Sequence, residues 1–227
     1  MLDHLKSRSH EMGGALFGVA DLTPHKDRFL LSDAELNGLI RGIVVGVVLS
    51  PAILAGIENQ PTLLYKWHYR QANNLLDRIA FVLTQDLIAA GFRALPVAAS
   101  QTVDRKMQRG HVSHRALAEA AGLGWRGRNN LLVHPVFGSR VRLVSILTDL
   151  DVGPGTPLPF GCGACHRCVN VCPAGALGET PEAYDLSACY DCLTTFSRIN
   201  GIGQHICGIC VKACPGWPEA KMESESK

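Results

Sequence analysis

The first 161 residues of this 227-residue chain contain no cysteine, and all nine cysteines stand between Cys162 and Cys214. That distribution excludes a uniform fold. It sets a cysteine-free body against a short cysteine-dense module. Charge is sparse as well, at 19% with a net of +2, so overall charge names no partner. At about 150 residues per domain the length allows one generous domain, or one medium and one small. An apolar content of 47% lets a core form and excludes wholesale disorder.

Long apolar runs are missing too. The stretch MLDHLKSRSHEMGG at the N-terminus has no run of about 7–15 apolar residues, so no secretion signal is expected. The longest uncharged stretch, Gly42–Ile57, falls short of the ~20 residues that cross a bilayer, and Ser50-Pro51 interrupts it. It reads as a buried strand, Ile43–Leu49, followed by a turn. With no export signal, clustered cysteines imply a reducing, cytoplasmic setting in which they bind metal or do redox work.

Ala15–Ala20 (ALFGVA) and Gly42–Leu49 (GIVVGVVL) are short, β-branched and punctuated by glycine, as strands buried on both faces are. Leu75, Leu76, Ile79, Leu83 and Leu87 recur at helical spacing between Asn73 and Ala90, with Gly91 placed to cap the C-terminus. Phe92–Ala99 reads as a strand. His114–Ala121 reads as a helix opened by Ser113. Leu131–His134 and Val141–Thr148 flank the Pro135–Gly138 turn and predict a hairpin. Alternating strands and helices give an α/β (α+β) body. Asp151–Pro159 holds three prolines and two glycines and is the expected linker, dividing the chain into residues 1–152 and 153–227. The polar tail from Glu219 to Lys227 is expected to fray.

Cys162, Cys165, Cys168 and Cys172-Pro173 form the bacterial-ferredoxin run C-x2-C-x2-C-x3-C-P. In that run three thiolates bind one [4Fe–4S] cube and the fourth binds a second. Cys207, Cys210 and Cys214-Pro215 repeat the ending. Reciprocity gives cluster 1 as Cys162, Cys165, Cys168 and Cys214. Cluster 2 takes Cys172, Cys207 and Cys210, and Cys189 and Cys192 compete for its fourth place. A zinc ribbon uses two C-x2-C pairs and leaves the longer run without a role. His166 and His205 neighbour the ligands and could replace a thiolate, but they read as solvated loop residues.

Gly122-Leu-Gly124-Trp-Arg-Gly127 matches G-x-G-x-x-G, yet a helix precedes it and a strand follows, the reverse of a dinucleotide site. The glycines mark a close backbone approach, to another segment or to a flat ligand. From Asp104 to Arg142, eight basic residues face two acidic ones, which leaves that stretch at +6 and the rest of the chain, on a total of +2, at −4. They are Arg105, Lys106, Arg109, Arg115, Arg126, Arg128, Arg140 and Arg142. Such polarity suits an anionic ligand or a solvated basic face, and aromatics for base stacking are scarce there.

Ala116-Leu-Ala-Glu-Ala-Ala-Gly-Leu-Gly-Trp125-Arg-Gly-Arg-Asn129, then Gly138-Ser139 and Ile146-Leu-Thr-Asp149, resemble the core of the epoxyqueuosine reductase family. The tail does too: CGACHRCVNVCPAGAL, Cys189 followed by Leu193-Thr194, and CGICVKACP. The resemblance is specific from about Ala116 to Trp217 and a matter of layout from Ala15 to Ala99. It implies an α/β corrinoid-binding body related to reductive dehalogenases and a ferredoxin-like module with two [4Fe–4S] clusters. It assigns Cys189 to cluster 2 and leaves Cys192 spare. It also implies that Gly122, Gly124, Trp125, Gly127, Arg128 and Asn129, with Gly138 and Ser139, lie against a cobalamin or other corrinoid. Electrons would pass singly from a ferredoxin or flavodoxin through the clusters to the cobalt.

Two departures shape the functional expectation. The family's acidic proton donor, seventeen residues before the tryptophan, falls on Gln108, which cannot serve in the same way. Asp104, His111 and His114 are the candidates to replace it. Longer members carry a C-terminal helical-repeat region for tRNA, whereas this chain stops soon after Pro218. The leading expectation is therefore a corrinoid-dependent iron–sulfur reductase acting on a small molecule. A carrier that reduces a partner protein's corrinoid or redox centre, and a tRNA epoxyqueuosine reductase, are the alternatives.

Overall fold

The computed structural model describes residues 1–217, so the tail from Glu219 lies outside the described residues. In chain order the body carries α1 (Leu2–Glu11), β1 (Leu16–Asp21), α2 (Asp33–Leu36), β2 (Arg41–Val48), α3 (Pro51–Ala55), α4 (Leu63–Ala89), β3 (Ala94–Val97) and α5 (His114–Ala120). There follow β4 (Trp125–Arg126), β5 (Leu132–Val133), β6 (Val141–Thr148), α6 (Arg167–Asn170), α7 (Leu186–Ser197) and α8 (Ile209–Ala213). Among the described residues no helix is long and apolar enough to cross a membrane.

The chain forms two compact units, each assembled from three separate stretches. The first is Met1–Val47, Ala72–Leu123 and Arg142–Leu158; the second is Val48–Gln71, Gly124–Val141 and the chain from Pro159 on. The chain leaves the first unit for the last time at the end of the expected linker, which has no regular structure. Val48–Gln71 and Gly124–Val141, expected within the first domain, group instead with the cysteine segment.

The first unit holds a four-stranded sheet in the order β1-β2-β6-β3. β1 runs antiparallel to β2, with Leu16 opposite Gly46 and Asp21 opposite Arg41, and β3 runs antiparallel to β6, with Ala94 opposite Thr148. Gly42 to Val47 are buried without interruption, as expected of a strand covered on both faces. α5 packs on β1. There the missing side chain of Gly18 makes room, since a Cβ would lie 3.0–3.1 Å from Leu123 and Ala121. Leu76, Ile79, Leu83 and Leu87 are fully buried. Each such side chain contributes about 1.5–3 kcal/mol on leaving water. α4 stops at Gly91, whose φ of +87° lets the Phe92 N–H turn back to the Leu87 carbonyl at 3.0 Å.

Two expectations are corrected. α4 begins at Leu63, well before Asn73, and the Thr62 hydroxyl caps it by accepting the Tyr65 N–H at 3.1 Å. Leu63, Leu64 and Trp67 are more than half exposed, so the apolar stripe that marks a helix is absent from its first turns. The 131–148 hairpin does not form. β6 pairs within the four-stranded sheet, where Leu143–Thr148 are buried, and β5 pairs with β4, Trp125 opposite Val133. What remains of the turn is one bridge between His134 and Gly138.

Candidate functional site

The second unit gathers all nine cysteines. Cys162 and Cys165 lie on a loop closed by the Cys165 N–H donating to the Cys162 carbonyl at 2.9 Å, and Cys168 sits on α6. Cys189 and Cys192 stand one turn apart on α7, whose N-cap, Asp185, accepts the Ala188 N–H at 2.9 Å. Gly208 takes φ +85° to open α8, which carries Cys210 and ends at Cys214. A Cβ on Gly208 would meet Ile57 and Tyr65 at 2.7–2.8 Å, so α8 sits tightly on residues that precede and begin α4. Lys212 donates to the Ala55 carbonyl at 3.0 Å and to that of Ile57 at 2.5 Å, placing a cation at the C-terminal end of α3.

The electrostatics sort the sulfurs. Burial pushes the Cys168 thiol up to about 11, helped by the neighbouring charges of Cys214, Cys162 and Cys165. Burial raises Cys207 to about 11 as well, but its sulfur neighbours are Cys192, Cys189 and Cys172. Cys210 is raised by burial and then by Cys207, Cys168, Cys189 and Cys172. Cys189 and Cys192 are raised by burial, each with Cys172 as a neighbour, and the Tyr184 side chain hydrogen-bonds Cys189. The charges that act on Cys168 are those of Cys162, Cys165 and Cys214, those that act on Cys207 are Cys172, Cys189 and Cys192, and Cys210 feels Cys168 as well as Cys172, Cys189 and Cys207. Crowded, desolvated thiols repel one another as thiolates, and bound iron would relieve that repulsion. Among the described residues no group of three or more His, Cys, Asp or Glu forms a single-ion site.

Residues expected at a corrinoid brace this sulfur-rich unit. Trp125 is 1% exposed, donates its indole N–H to the Cys162 sulfur at 3.3 Å, and stacks on Trp217 with centroids 5.9 Å apart. Arg128 donates to the carbonyls of Glu179 (2.7 Å) and Cys165 (3.0 Å) and lies over the Phe160 ring. Asn129 donates to the Ser139 hydroxyl at 2.7 Å, both buried. The open sides of the glycines face the chain itself. A Cβ on Gly124 would lie 2.3 Å from the Val133 carbonyl oxygen, and one on Gly138 2.2 Å from that of Cys214. Gly127 packs on Val133, and Gly122, in the first unit, on the Thr156 carbonyl. Of the flat-ligand and close-packing alternatives for these glycines, the geometry is that of close packing.

Much of the basic stretch is likewise spent on the chain itself. Arg126 reaches the Pro181 carbonyl and Glu182, Arg140 the Phe137 carbonyl, and Arg142 Asn73 and the Ala99 carbonyl. Arg109 donates to the Arg28 carbonyl. Apart from the local Arg140 contact, these destinations lie far along the chain and leave no sequence signal.

The proton-donor candidates lie in the first unit. A cavity of about 200 Å³ is lined by residues 97–102, Gln108, Gly110, His111, Val112 and His114. Gln108 sits in the left-handed region at φ +50°, unusual for its type, with its amide donating to the Arg105 carbonyl. Asp104 is not among the lining residues; its carboxylate accepts the N–H groups of Lys106 (2.9 Å) and Met107 (3.0 Å), holding the loop in a turn. Both nitrogens of His114 are engaged: Nε2–H donates to the Ala98 carbonyl and Nδ1 accepts from the Ser145 hydroxyl, each at 2.9 Å. Burial lowers its pKa to about 4, so it is held neutral. His111 donates Nδ1–H to the Leu30 carbonyl at 2.9 Å, and the structure gives its Nε2 no such partner among the hydrogen bonds of the described residues.

No protein-family model matches the chain. Curated relatives do. The chain is 30% identical over 190 residues to an epoxyqueuosine reductase of Escherichia coli (strain K12), covering 84% of this chain and 43% of the relative. With the Gloeobacter violaceus epoxyqueuosine reductase it is 40% identical over 116 residues, 47% of this chain and 36% of the relative. The chain thus spans less than half the length of these relatives. Among solved structures, a reductive dehalogenase described with a B12-dependent mechanism matches with a TM-score of 0.74 at 19% identity, over 97% of this chain and 33% of that one. Epoxyqueuosine reductase from Bacillus subtilis, described with an aspartate catalytic loop swung out of the active site, matches at 0.67 and 18% identity, over 94% and 64%. The likeness in sequence to the one group and in fold to both makes this chain a homologue of the epoxyqueuosine reductases over the part of them that it spans, built on the mixed α/β fold they share with the dehalogenase.

Proposed function

We propose that the chain is an iron–sulfur, corrinoid-dependent oxidoreductase. The observation that carries this reading is the gathering of all nine thiols in one compact unit, where Cys168 neighbours Cys162, Cys165 and Cys214 and Cys207 neighbours Cys172, Cys189 and Cys192. Cys162, Cys165, Cys168 and Cys214 hold one [4Fe–4S] cluster, and Cys172, Cys189, Cys207 and Cys210 the other. The Tyr184 hydrogen bond supports Cys189 over Cys192 as fourth ligand. The second unit is the ferredoxin-like module, and a ferredoxin or flavodoxin supplies its electrons.

A bound corrinoid would supply a cobalt centre of low potential, and B12-dependent chemistry in a protein of this fold supports that choice. For the chain's own part, Trp125 and Arg128 fix the Cys162–Cys165 loop, and together with the Asn129–Ser139 pair they would act as positioning residues for the cofactor. The substrate enters the cavity of the first unit. There His111 is the group that carries a proton: Asp104 is tied into its turn and His114 is locked neutral. Gln108 contributes neutral hydrogen bonding at the position where the family resemblance expects an acid.

The substrate is a small molecule in this reading. Reduction of epoxyqueuosine in tRNA is the second, favoured by the names of the relatives and by a solved epoxyqueuosine reductase bound to a modified tRNA stem loop. Anaerobic reconstitution separates these readings from the carrier alternative. About eight irons per chain, two cubes of four, with added cobalamin bound and reduced, are expected. Iron without any cobalamin binding would leave an electron carrier, and turnover of epoxyqueuosine-containing tRNA would replace the small-molecule reading with the second.

A further inference from the structure

We propose that Trp125 sets the reduction potential of one cluster alone, the one held by Cys162, Cys165, Cys168 and Cys214, through the hydrogen bond its indole N–H gives to the Cys162 sulfur. The inference rests on the two-cluster reading above. An indole N–H is a donor only, and when buried it needs an acceptor. Here that acceptor is a sulfur at 3.3 Å and the ring is 1% exposed. A neutral thiol is a weak acceptor, whereas an iron-bound thiolate carries the charge such a donor favours.

The ring has little freedom to turn away. Trp217 stacks on it at an interplanar angle of 19°. A Cβ on Gly161 would come within 2.7–2.8 Å of the Trp217 nitrogen and the Trp125 ring, so only glycine admits both indoles there. On the other side the Cβ position of Gly127 is 3.6 Å from the Cys162 sulfur. The bond is therefore made by a fixed dipole, which costs no reorganisation when an electron arrives. One electron from a ferredoxin- or flavodoxin-class donor raises the negative charge on the iron-bound sulfurs, and no bond at Trp125 forms or breaks. The N–H dipole stabilises that charge more in the reduced state, which makes the cluster easier to reduce. Trp125 is a positioning residue in this sense; it touches a ligand, not the substrate.

The test is a potentiometric titration of the full reconstituted chain, followed by electron paramagnetic resonance. Trp125→Phe keeps an aromatic ring and removes the donor. One cluster should become harder to reduce by up to about tenfold in its equilibrium, which is about 59 mV for a one-electron couple. The other cluster and the iron content should stay unchanged. Equal shifts in both potentials, or none in either, overturn the proposal. Should the variant lose its iron, the Trp217→Phe chain with nitrogen-15 tryptophan decides, because the remaining indole, Trp67, is 56% exposed. Pulsed resonance should then show a nitrogen-15 coupling to one reduced cluster, and its absence overturns the proposal. A wild-type chain that takes up no iron overturns the cluster reading itself, a result distinct from two clusters with unmoved potentials.

Discussion

The two units solve the same stability problem with different materials. The first buries an unbroken strand, Gly42–Val47, and a leucine stripe on α4, so its core is apolar surface removed from water. Besides the first turns of α4, the second has helices of four, five, five and twelve residues, a two-strand ribbon and several thiols pushed into their neutral form by burial. Helices so short do not persist on their own. In the proposed reading, bound iron makes such a unit as firm as its neighbour. On that reading one chain joins a part that folds on buried apolar surface to a part that folds on its cofactor.

Removing the iron should break the pair most visibly. Chelation under oxidising conditions is expected to abolish amide protection from Cys162 to Cys214, while Ile43–Val47 and Val144–Leu147 keep theirs, as read by hydrogen exchange. Equal loss in both stretches would mean that the units are not independent in this sense. Next in size, Leu83→Ala should cost about 2–5 kcal/mol in denaturant unfolding and leave the iron content unchanged.

A third comparison lies inside the cysteine module. Cys189→Ala is expected to remove about half the iron, four atoms of about eight, and Cys192→Ala none. Matching losses would put Cys192 on the cluster and leave the Tyr184 hydrogen bond without a part in choosing the ligand.

Acid should act on the first unit through His114. Its folded pKa, near 4, lies below the ordinary histidine value of 6.5, chiefly through burial and secondarily through Arg142, with Ala98 and Asp77 opposing. The unfolded chain therefore binds the extra proton first, and stability falls as pH drops from 6.5 to 4, by about 3 kcal/mol at about 1.4 kcal/mol for each pH step between the two values. His114→Asn should flatten that slope; a slope unchanged in the variant would assign it elsewhere. Smaller still, Ser113→Ala should cost about 1 kcal/mol, because its hydroxyl caps α5 by accepting the Ala116 N–H.

Much of this was readable from residue order. β-branched runs gave β1 and β2, Ser113 opened α5, and the crowding of cysteines after residue 161 anticipated a unit that holds them all. Three features were not readable. α4 hides its first turns because Leu63, Leu64 and Trp67 face outward. β5 and β6 look like hairpin arms, yet β6 gains more from the buried sheet, a tertiary preference that local pattern does not encode. The basic stretch from Arg105 to Arg142 suggested an anion, but Arg126, Arg128, Arg140 and Arg142 end on carbonyls far along the chain or nearby, and no one-dimensional signal reports a side chain's destination.

The central claim is the partition of sulfurs between two iron centres. Crystals grown without oxygen and measured at the iron absorption edge test it most directly. Two compact peaks of anomalous density are expected, one bounded by Cys162, Cys165, Cys168 and Cys214 and the other by Cys172, Cys189, Cys207 and Cys210. A single peak, or density at the zinc edge in its place, would contradict it.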